Sequence, residues 1–147
     1  MAAGWGLGDD RLLDDGIRLL EWLLEMETVD GHFSLTPVGG WGPGETRPGY
    51  DQQPIEAAGL ADACARAYAL TGDGRFVAGV SRAVAWFLGD NDVRVAMFDP
   101  VTGGGYDGLE PGGHNDNQGA ESTLALVSTL QQGLLLVGGL RLVGGDL

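Results

Sequence analysis

The chain has 147 residues, about the length of one domain, and 44% of them are hydrophobic. Its formal net charge is −13, from 21 acidic against 8 basic residues, and every basic residue is an arginine. This charge argues against nucleic acids and anionic membrane surfaces as partners, because binding a polyanion requires clustered cations.

The cysteine content and the absence of long apolar segments bear on the cellular location of the chain. Cys64 is the single cysteine, so an internal disulfide is excluded and a cytoplasmic location is expected. The first residues lack the basic start of a secretory signal peptide. No window reaches the about 18 apolar residues of a membrane span, so no transmembrane helix is predicted.

Hydrophobic periodicity predicts four helices, over residues 9–27, 54–70, 74–88 and 117–132. The apolar stripe of the first helix is formed by Leu13, Ile17, Leu20 and Leu24. Pro54 suits the first turn of the second helix, whose alanine-rich body permits close approach to its neighbours and favours a central position. The glycines of residues 134–147 weaken a helix, so this tail is expected to be irregular or frayed.

The connections between the helices predict how the ends are arranged. Long glycine-rich loops follow the first and third helices, whereas the turn at residues 71–73 is tight. Consecutive packed helices usually run antiparallel, so both long loops should meet at one end and the tight turn should lie at the other. We therefore predict an all-α fold with acidic and aromatic loop residues gathered on one face.

The first polar cluster surrounds the start of the second helix. Asp51 and Glu56 either cap and complement the helix dipole or act as general acid and base on a substrate. Tyr50 and Gln52 are candidate substrate-binding residues, as is Trp41 in the preceding loop, because aromatic faces and amide groups suit sugar rings and hydroxyls.

The second polar cluster lies in the other long loop and at the start of the fourth helix. Asp107 and Glu121 are its candidate catalytic carboxylates, and Tyr106, Asn117 and Gln118 are its candidate substrate-binding residues. The alternative is that Asn117 caps the helix while Glu121 complements its dipole.

Other chemistries have little support in the sequence. His32 and His114 each lack a second histidine at ligand spacing, so neither a metal nor a cofactor is predicted. Cys64 lies in an alanine-rich segment and is interpreted as a buried small side chain. The glycine-rich loops match neither a phosphate-binding loop nor a dinucleotide-binding motif.

Several short motifs together resemble a known domain family. They are DQQPIEAA at 51–58, TGD at 71–73, WFLG at 86–89, FDP at 98–100, TGG at 102–104, YDGL at 106–109 and NQGAESTL at 117–124. Residues 50–131 are thus similar to the six-hairpin, α/α-toroid glycosidase-like domain. The most specific of these motifs is the last one, and the resemblance is strongest to toroids appended to or encoded beside bacterial glycosyltransferases.

This resemblance implies that residues 1–133 form the C-terminal portion of an α/α toroid. It implies a carbohydrate-active protein in which Glu56, Asp51, Asp107 and Glu121 form the polar centre and act in hydrolysis or in substrate positioning. The expected partners are a neutral glycan and either a glycosyltransferase chain or a second copy of this chain. The alternatives are a non-catalytic carbohydrate-binding module and a remnant that needs a partner chain to fold.

Overall fold

The computed structural model describes residues 1–47 and 49–143. Within these residues the chain is mostly helical, in agreement with the predicted all-α class. The helices are α1 (Ala2–Leu7), α2 (Asp10–Met26), α3 (Pro54–Thr71), α4 (Gly74–Phe87) and α5 (Ala120–Val143). Two short antiparallel hairpins lie in the loops, β1 (Thr28–Val29) with β2 (His32–Phe33) and β3 (Leu109–Glu110) with β4 (Gly113–His114).

Local capping signals fix the boundaries of the middle helices. The carboxylate of Asp9 accepts a 3.0 Å hydrogen bond from the amide of Leu12 at the start of α2. Asp73 accepts a 2.9 Å bond from the amide of Arg75 at the start of α4. Gly72 ends α3 with a φ of 69°, a left-handed conformation that glycine adopts without a Cβ penalty.

The structure differs from the predicted elements at both ends of the chain. The short helix α1 packs against α2 and was not predicted. The last helix begins at Ala120 rather than near Asn117 and continues to Val143, so residues 134–143 are helical instead of irregular. Leucines at 134–136 favour the helix and offset a glycine cost of about 1 kcal/mol each. Residues 144–147 of the expected tail lie outside the described residues.

The core is built around α3, which packs mainly on α4 and α5. Ala57, Ala61, Cys64 and Ala67 of α3 are fully buried, and these small side chains allow the neighbouring helices to approach closely. Large side chains from α4 and from the loops fill the remaining space; they include Phe33, Phe76, Trp86, Phe87 and Met97. The central position predicted for this helix is therefore confirmed.

The two long loops meet beside the N-terminal end of α3. Gln52 and Leu109 exchange backbone hydrogen bonds of 3.1 and 2.8 Å, which join the first loop to the second. The indole N–H of Trp86, near the end of α4, donates to the side chain of Gln52. Gly72 and Asp73 lie at the opposite end of α3. This arrangement brings residues from distant parts of the sequence to one end of the helices.

Candidate functional site

A cleft lies between the C-terminal part of α2 and the loop that carries Trp41. Its volume is about 600 Å³, which falls within the about 300–1,000 Å³ typical of small-molecule sites. Trp22 and Trp41 provide its aromatic lining, and Glu27, Thr36 and Glu56 provide polar groups. Two residues that the sequence singles out, Trp41 and Glu56, therefore line the same cavity.

One contact at the edge of the ring and one over its face position Trp41. Its indole N–H donates a 2.9 Å hydrogen bond to the carbonyl oxygen of Glu45, and the guanidinium carbon of Arg47 lies 5.2 Å from the ring centroid. Arg47 also donates to the carbonyl oxygen of Met26 at 2.5 Å and to that of Ser34. The loop is thereby attached to the end of α2 and to the segment after β2.

Glu27 and Glu56 give the cleft its electrostatic character. Glu27 is buried, and its two oxygens accept 2.6 Å hydrogen bonds from the amide and the hydroxyl of Thr36. Glu56 stands in the first turn of α3 and is partly exposed. Desolvation and then the charge of Glu27 raise the pKa of Glu56. The two carboxylates therefore act on each other within one cavity.

The cleft continues as a groove between α2 and α3. A second cavity of about 330 Å³ shares Leu23, Glu27 and Glu56 with the first. It adds apolar side chains, among them Ile55 and Leu60. A ligand longer than one ring could thus contact aromatic groups at one end and aliphatic groups at the other.

Asp51 lies outside this cleft, against the backbone of the second loop. One of its carboxylate oxygens is buried and has no hydrogen-bond partner among the described residues. A Cβ atom added at Gly108 would clash with that oxygen, so the Asp51 side chain packs closely against the Gly108 backbone. Desolvation, followed by the charge of Glu110, raises the pKa of Asp51. Asp51 therefore lies in a partly desolvated environment that is separate from the Trp41 cleft.

Gln52 is fully buried, contrary to the prediction that it binds a substrate. Its side-chain oxygen accepts bonds from the amide of Leu35 and the indole of Trp86, at 3.1 and 3.3 Å. Its amide nitrogen donates to the carbonyl oxygen of Gly49 and to the carboxylate of Asp92. Because its side chain is buried and both its oxygen and its nitrogen are hydrogen-bonded within the protein, Gln52 connects the loops and is not accessible to a ligand.

Asp107, which lies in the loop before α5, caps the N-terminal end of that helix. One oxygen of Asp107 accepts a 2.7 Å bond from the amide of Gly119 and a 2.6 Å bond from the hydroxyl of Ser122. Glu121 is exposed in the first turn of α5, beside this cap. Neither Asp107 nor Glu121 lines the cleft that contains Glu56.

The remaining residues of the second cluster are engaged with their own loop or are solvated. The hydroxyl of Thr102 donates to Gln118, which in turn donates to Asp99. Asn117 is exposed, and its backbone carbonyl accepts from the amide of Asp107. The second cluster therefore lies near α5 and remains separate from the Trp41 cleft.

Two aromatic residues predicted to bind substrate also have partners within the protein. The ring of Tyr106 stacks on His114, with ring centroids 3.6 Å apart and planes inclined by 6°. Tyr50 is half-buried, and desolvation followed by the charge of Asp92 raises its pKa. At least one face of Tyr106 is thus covered within the protein.

Asp92 is a polar residue of the loop cluster that the sequence did not single out. It accepts a 2.8 Å bond from Nε2 of His32 and a 2.7 Å bond from the hydroxyl of Ser34. This is not a nucleophile triad, because the serine donates directly to the carboxylate instead of to the histidine. No local motif marks Asp92, since its partners lie about sixty residues earlier in the chain.

A group of metal-binding side chains and a helix that could span a membrane are both absent from the described residues. Over residues 1–47 and 49–143, no three histidine, cysteine, aspartate or glutamate side chains come together as a metal-ligand set. Over the same ranges, every helix is too short or too polar to cross a lipid bilayer.

No protein-family model matches the chain, and no curated protein is similar to it in sequence.

Proposed function

We propose that this chain binds a glycan in the cleft between α2 and the Trp41 loop, as part of a glycosidase-like α/α toroid. The observation that carries the proposal is the convergence of Trp22, Trp41 and Glu56 on one cavity of about 600 Å³. Small-molecule sites combine apolar or aromatic lining with a few polar groups that fix orientation. A sugar ring suits this combination, because it has an apolar face and hydroxyls at its edge.

A binding role is better supported than hydrolysis by this chain alone. Most glycoside hydrolases use two carboxyl groups, about 5–9.5 Å apart, that flank the scissile glycosidic bond. Of the four predicted catalytic carboxylates, Glu56 lines the cleft, whereas Asp51 and Asp107 lie in other surroundings. The second acid of the cleft, Glu27, has both oxygens occupied by Thr36. Substrate positioning for an associated glycosyltransferase is consistent with such a site.

The proposal is tested by titrating the chain with a panel of oligosaccharides and measuring heat release and tryptophan fluorescence. We expect saturable binding that Trp41→Ala weakens by about tenfold or more, which corresponds to about 1.4 kcal/mol. Trp5→Ala is the matched control, because Trp5 is exposed on α1 and does not line the cleft. Absence of binding across the panel, or equal weakening by both variants, would contradict a glycan site at Trp41.

Exposed apolar side chains favour a second candidate function, association with another chain. Leu19 of α2 is 66% exposed, and Leu134 and Leu135 of α5 are 72% and 70% exposed. Such side chains mark a contact surface when they cluster. Sedimentation at increasing protein concentration tests self-association, with Leu19→Glu and Leu134→Glu as disrupting variants. A monomer of unchanged mass at all concentrations would argue against a second copy as the partner.

A further inference from the structure

We propose that the glycan bound in the Trp41 cleft carries a protonated amine, so that the preferred ligand is an amino sugar. This inference rests on the proposed function and specifies its ligand class. It modifies the neutral sugar expected from the sequence. Its basis is the pairing of aromatic side chains with two acidic residues whose charge no cation in the cleft lining offsets.

The cleft lining contains two glutamates and no arginine. Arg47, which lies close to Trp41, donates to two backbone carbonyl oxygens and covers the indole ring. No ion pair joins Glu27 or Glu56 to a basic side chain among residues 1–47 and 49–136, whose side chains the structure describes. The carboxylate of Glu56 is therefore available to a ligand, whereas Glu27 is buried and both its oxygens are hydrogen-bonded to Thr36.

The hydrogen bonds of Glu27 stabilise its position without supplying a positive charge. Both donors belong to Thr36, and both are neutral groups. Two like charges in a partly desolvated cavity repel each other, which is consistent with the raised pKa of Glu56. An ammonium group bound between them would relieve this repulsion and form charge-assisted hydrogen bonds with the free carboxylate.

Trp22 favours the same ligand class, whereas the ring of Trp41 already lies against the guanidinium of Arg47. The face of an indole ring attracts a cation, and the interaction is worth about 0.5–2 kcal/mol depending on desolvation. An amino sugar satisfies both features of the cleft, because its ring packs on an aromatic face while its ammonium group contacts a carboxylate. An anionic sugar, such as a uronic acid, would instead be repelled by Glu27 and Glu56.

The test compares two tetrasaccharides that share one backbone, β-1,4-linked glucosamine and its fully N-acetylated form. Titration calorimetry of the full chain at about pH 5.5 keeps the amines largely protonated, since the neighbouring ring oxygens lower their pKa below the 7.7–8.0 of α-amino groups. We expect the glucosamine tetramer to bind about tenfold more tightly than the acetylated one, with a preference that decreases as salt is added.

Single-residue variants test whether the charge of Glu56 causes the preference for the amino sugar. Glu56→Gln should weaken binding of the glucosamine tetramer more than binding of the acetylated tetramer, and so reduce the preference to within about twofold. The matched control is Glu25→Gln, which removes the same charge from an exposed position on α2 outside the cleft. An equal loss of preference in both variants would show that overall charge is responsible and would overturn the inference.

The remaining outcomes distinguish this inference from the proposed function. Equal binding of the two tetramers by the unmodified chain would overturn the amino-sugar preference and leave glycan binding intact. Failure of both tetramers and of the wider oligosaccharide panel would overturn both. Tetralysine binding as tightly as the glucosamine tetramer, without dependence on Trp41, would show that the cleft attracts cations in general and would also overturn the inference.

Discussion

Nε2 of His32 lies 2.8 Å from Oδ1 of Asp92, although the two residues are sixty positions apart in the sequence. The other oxygen of Asp92 accepts hydrogen bonds from Ser34 and Gln52, at 2.7 and 2.5 Å. Gln52 in turn accepts from the indole of Trp86. This network connects β2, the start of α3 and the end of α4, so it fixes the end of the molecule at which the loops meet.

The first prediction concerns the pH dependence of this network. Desolvation acts to raise the pKa of Asp92, but hydrogen bonds from Ser34, His32 and Gln52 outweigh it and lower the pKa below its usual value of 3.8. A lowered folded-state pKa adds stability above the unfolded-state pKa and loses it as the pH falls through the folded-state pKa. We expect Asp92→Asn to lower the free energy of unfolding by about 2–4 kcal/mol at neutral pH.

Urea unfolding at a series of pH values measures this effect. The stability difference between the unmodified chain and Asp92→Asn should shrink as the pH falls below about 4, where the carboxylate of the unfolded chain takes up a proton, until the pH passes the lowered folded-state pKa. The control is Asp14→Asn, which changes an exposed carboxylate on α2. A constant difference across the whole pH range would mean that the charge of Asp92 does not contribute to stability.

The second prediction concerns the cap that Asp107 supplies to α5. Asp107→Ala removes the acceptor of the Gly119 amide and the Ser122 hydroxyl, and we expect a loss of about 1–2 kcal/mol in the free energy of unfolding. Asp107→Asn keeps a side-chain oxygen as an acceptor, so it should lower the free energy of unfolding by less than Asp107→Ala does. Glu121→Gln alters an exposed side chain in the same turn and should change stability by no more than about 0.5 kcal/mol.

Glycan titration of the same variants shows whether Asp107 has a role beyond the cap. Because Asp107 does not line the cleft, Asp107→Ala should leave glycan affinity within about twofold under conditions where the variant is folded. Lost binding with unchanged stability would instead support the catalytic role that the sequence suggests for this residue.

The sequence predicts the helices well where the signals are local. The stripe through Leu13 and Leu20, the proline at position 54 and the Gly72–Asp73 turn each depend on neighbouring residues, and the boundaries of α2, α3 and α4 follow from them. The extension of α5 was missed, because single glycines were weighed more heavily than the leucines at 134–136. The toroid arrangement stays a prediction.

The candidate site was predictable in part, because side-chain type indicates chemistry but does not reveal which groups are already paired. Trp41 and Glu56 lie together as components of a cleft, whereas Trp22 and Glu27 were not singled out. Trp22 lies in α2 and Glu27 at its C-terminal end. An amphipathic helix accounts for both residue types, so the sequence gives no reason to assign them to a binding site. Gln52 and Asp107 have the residue types of a sugar site, but long-range hydrogen bonds occupy their side chains.

The third prediction concerns the reactivity of Cys64. Burial raises the pKa of the Cys64 thiol to about 12, although the charge of Arg82 acts in the opposite direction. Thiolates rather than thiols react with disulfide reagents, and this side chain is fully buried. We expect negligible labelling by an aromatic disulfide reagent at about pH 8 in the native state, and labelling of one thiol per chain in concentrated urea. Rapid labelling without denaturant would contradict the packing of α3.

The last prediction tests the contact between α3 and α4 at Gly79. A Cβ atom at this position would lie 2.5 Å from Sγ of Cys64 and 3.4 Å from its Cβ. Gly79→Ala should therefore lower the free energy of unfolding by about 1–3 kcal/mol, despite the better helix propensity of alanine. Gly59→Ala is the matched control, because no atom lies within 4 Å of its added Cβ. That variant should increase stability by about 0.5–1 kcal/mol.

The double variant Gly79→Ala/Cys64→Ala tests whether contact with Cys64 causes the destabilisation expected for Gly79→Ala. Cys64→Ala removes the sulfur that the new methyl group would meet, so the combined destabilisation should be smaller than the sum of the single effects by about 1 kcal/mol or more. Denaturant unfolding of the three variants and the unmodified chain completes this cycle. Additive effects within about 0.5 kcal/mol would show that Cys64 does not limit the approach of the two helices, and would contradict the packing at this crossing.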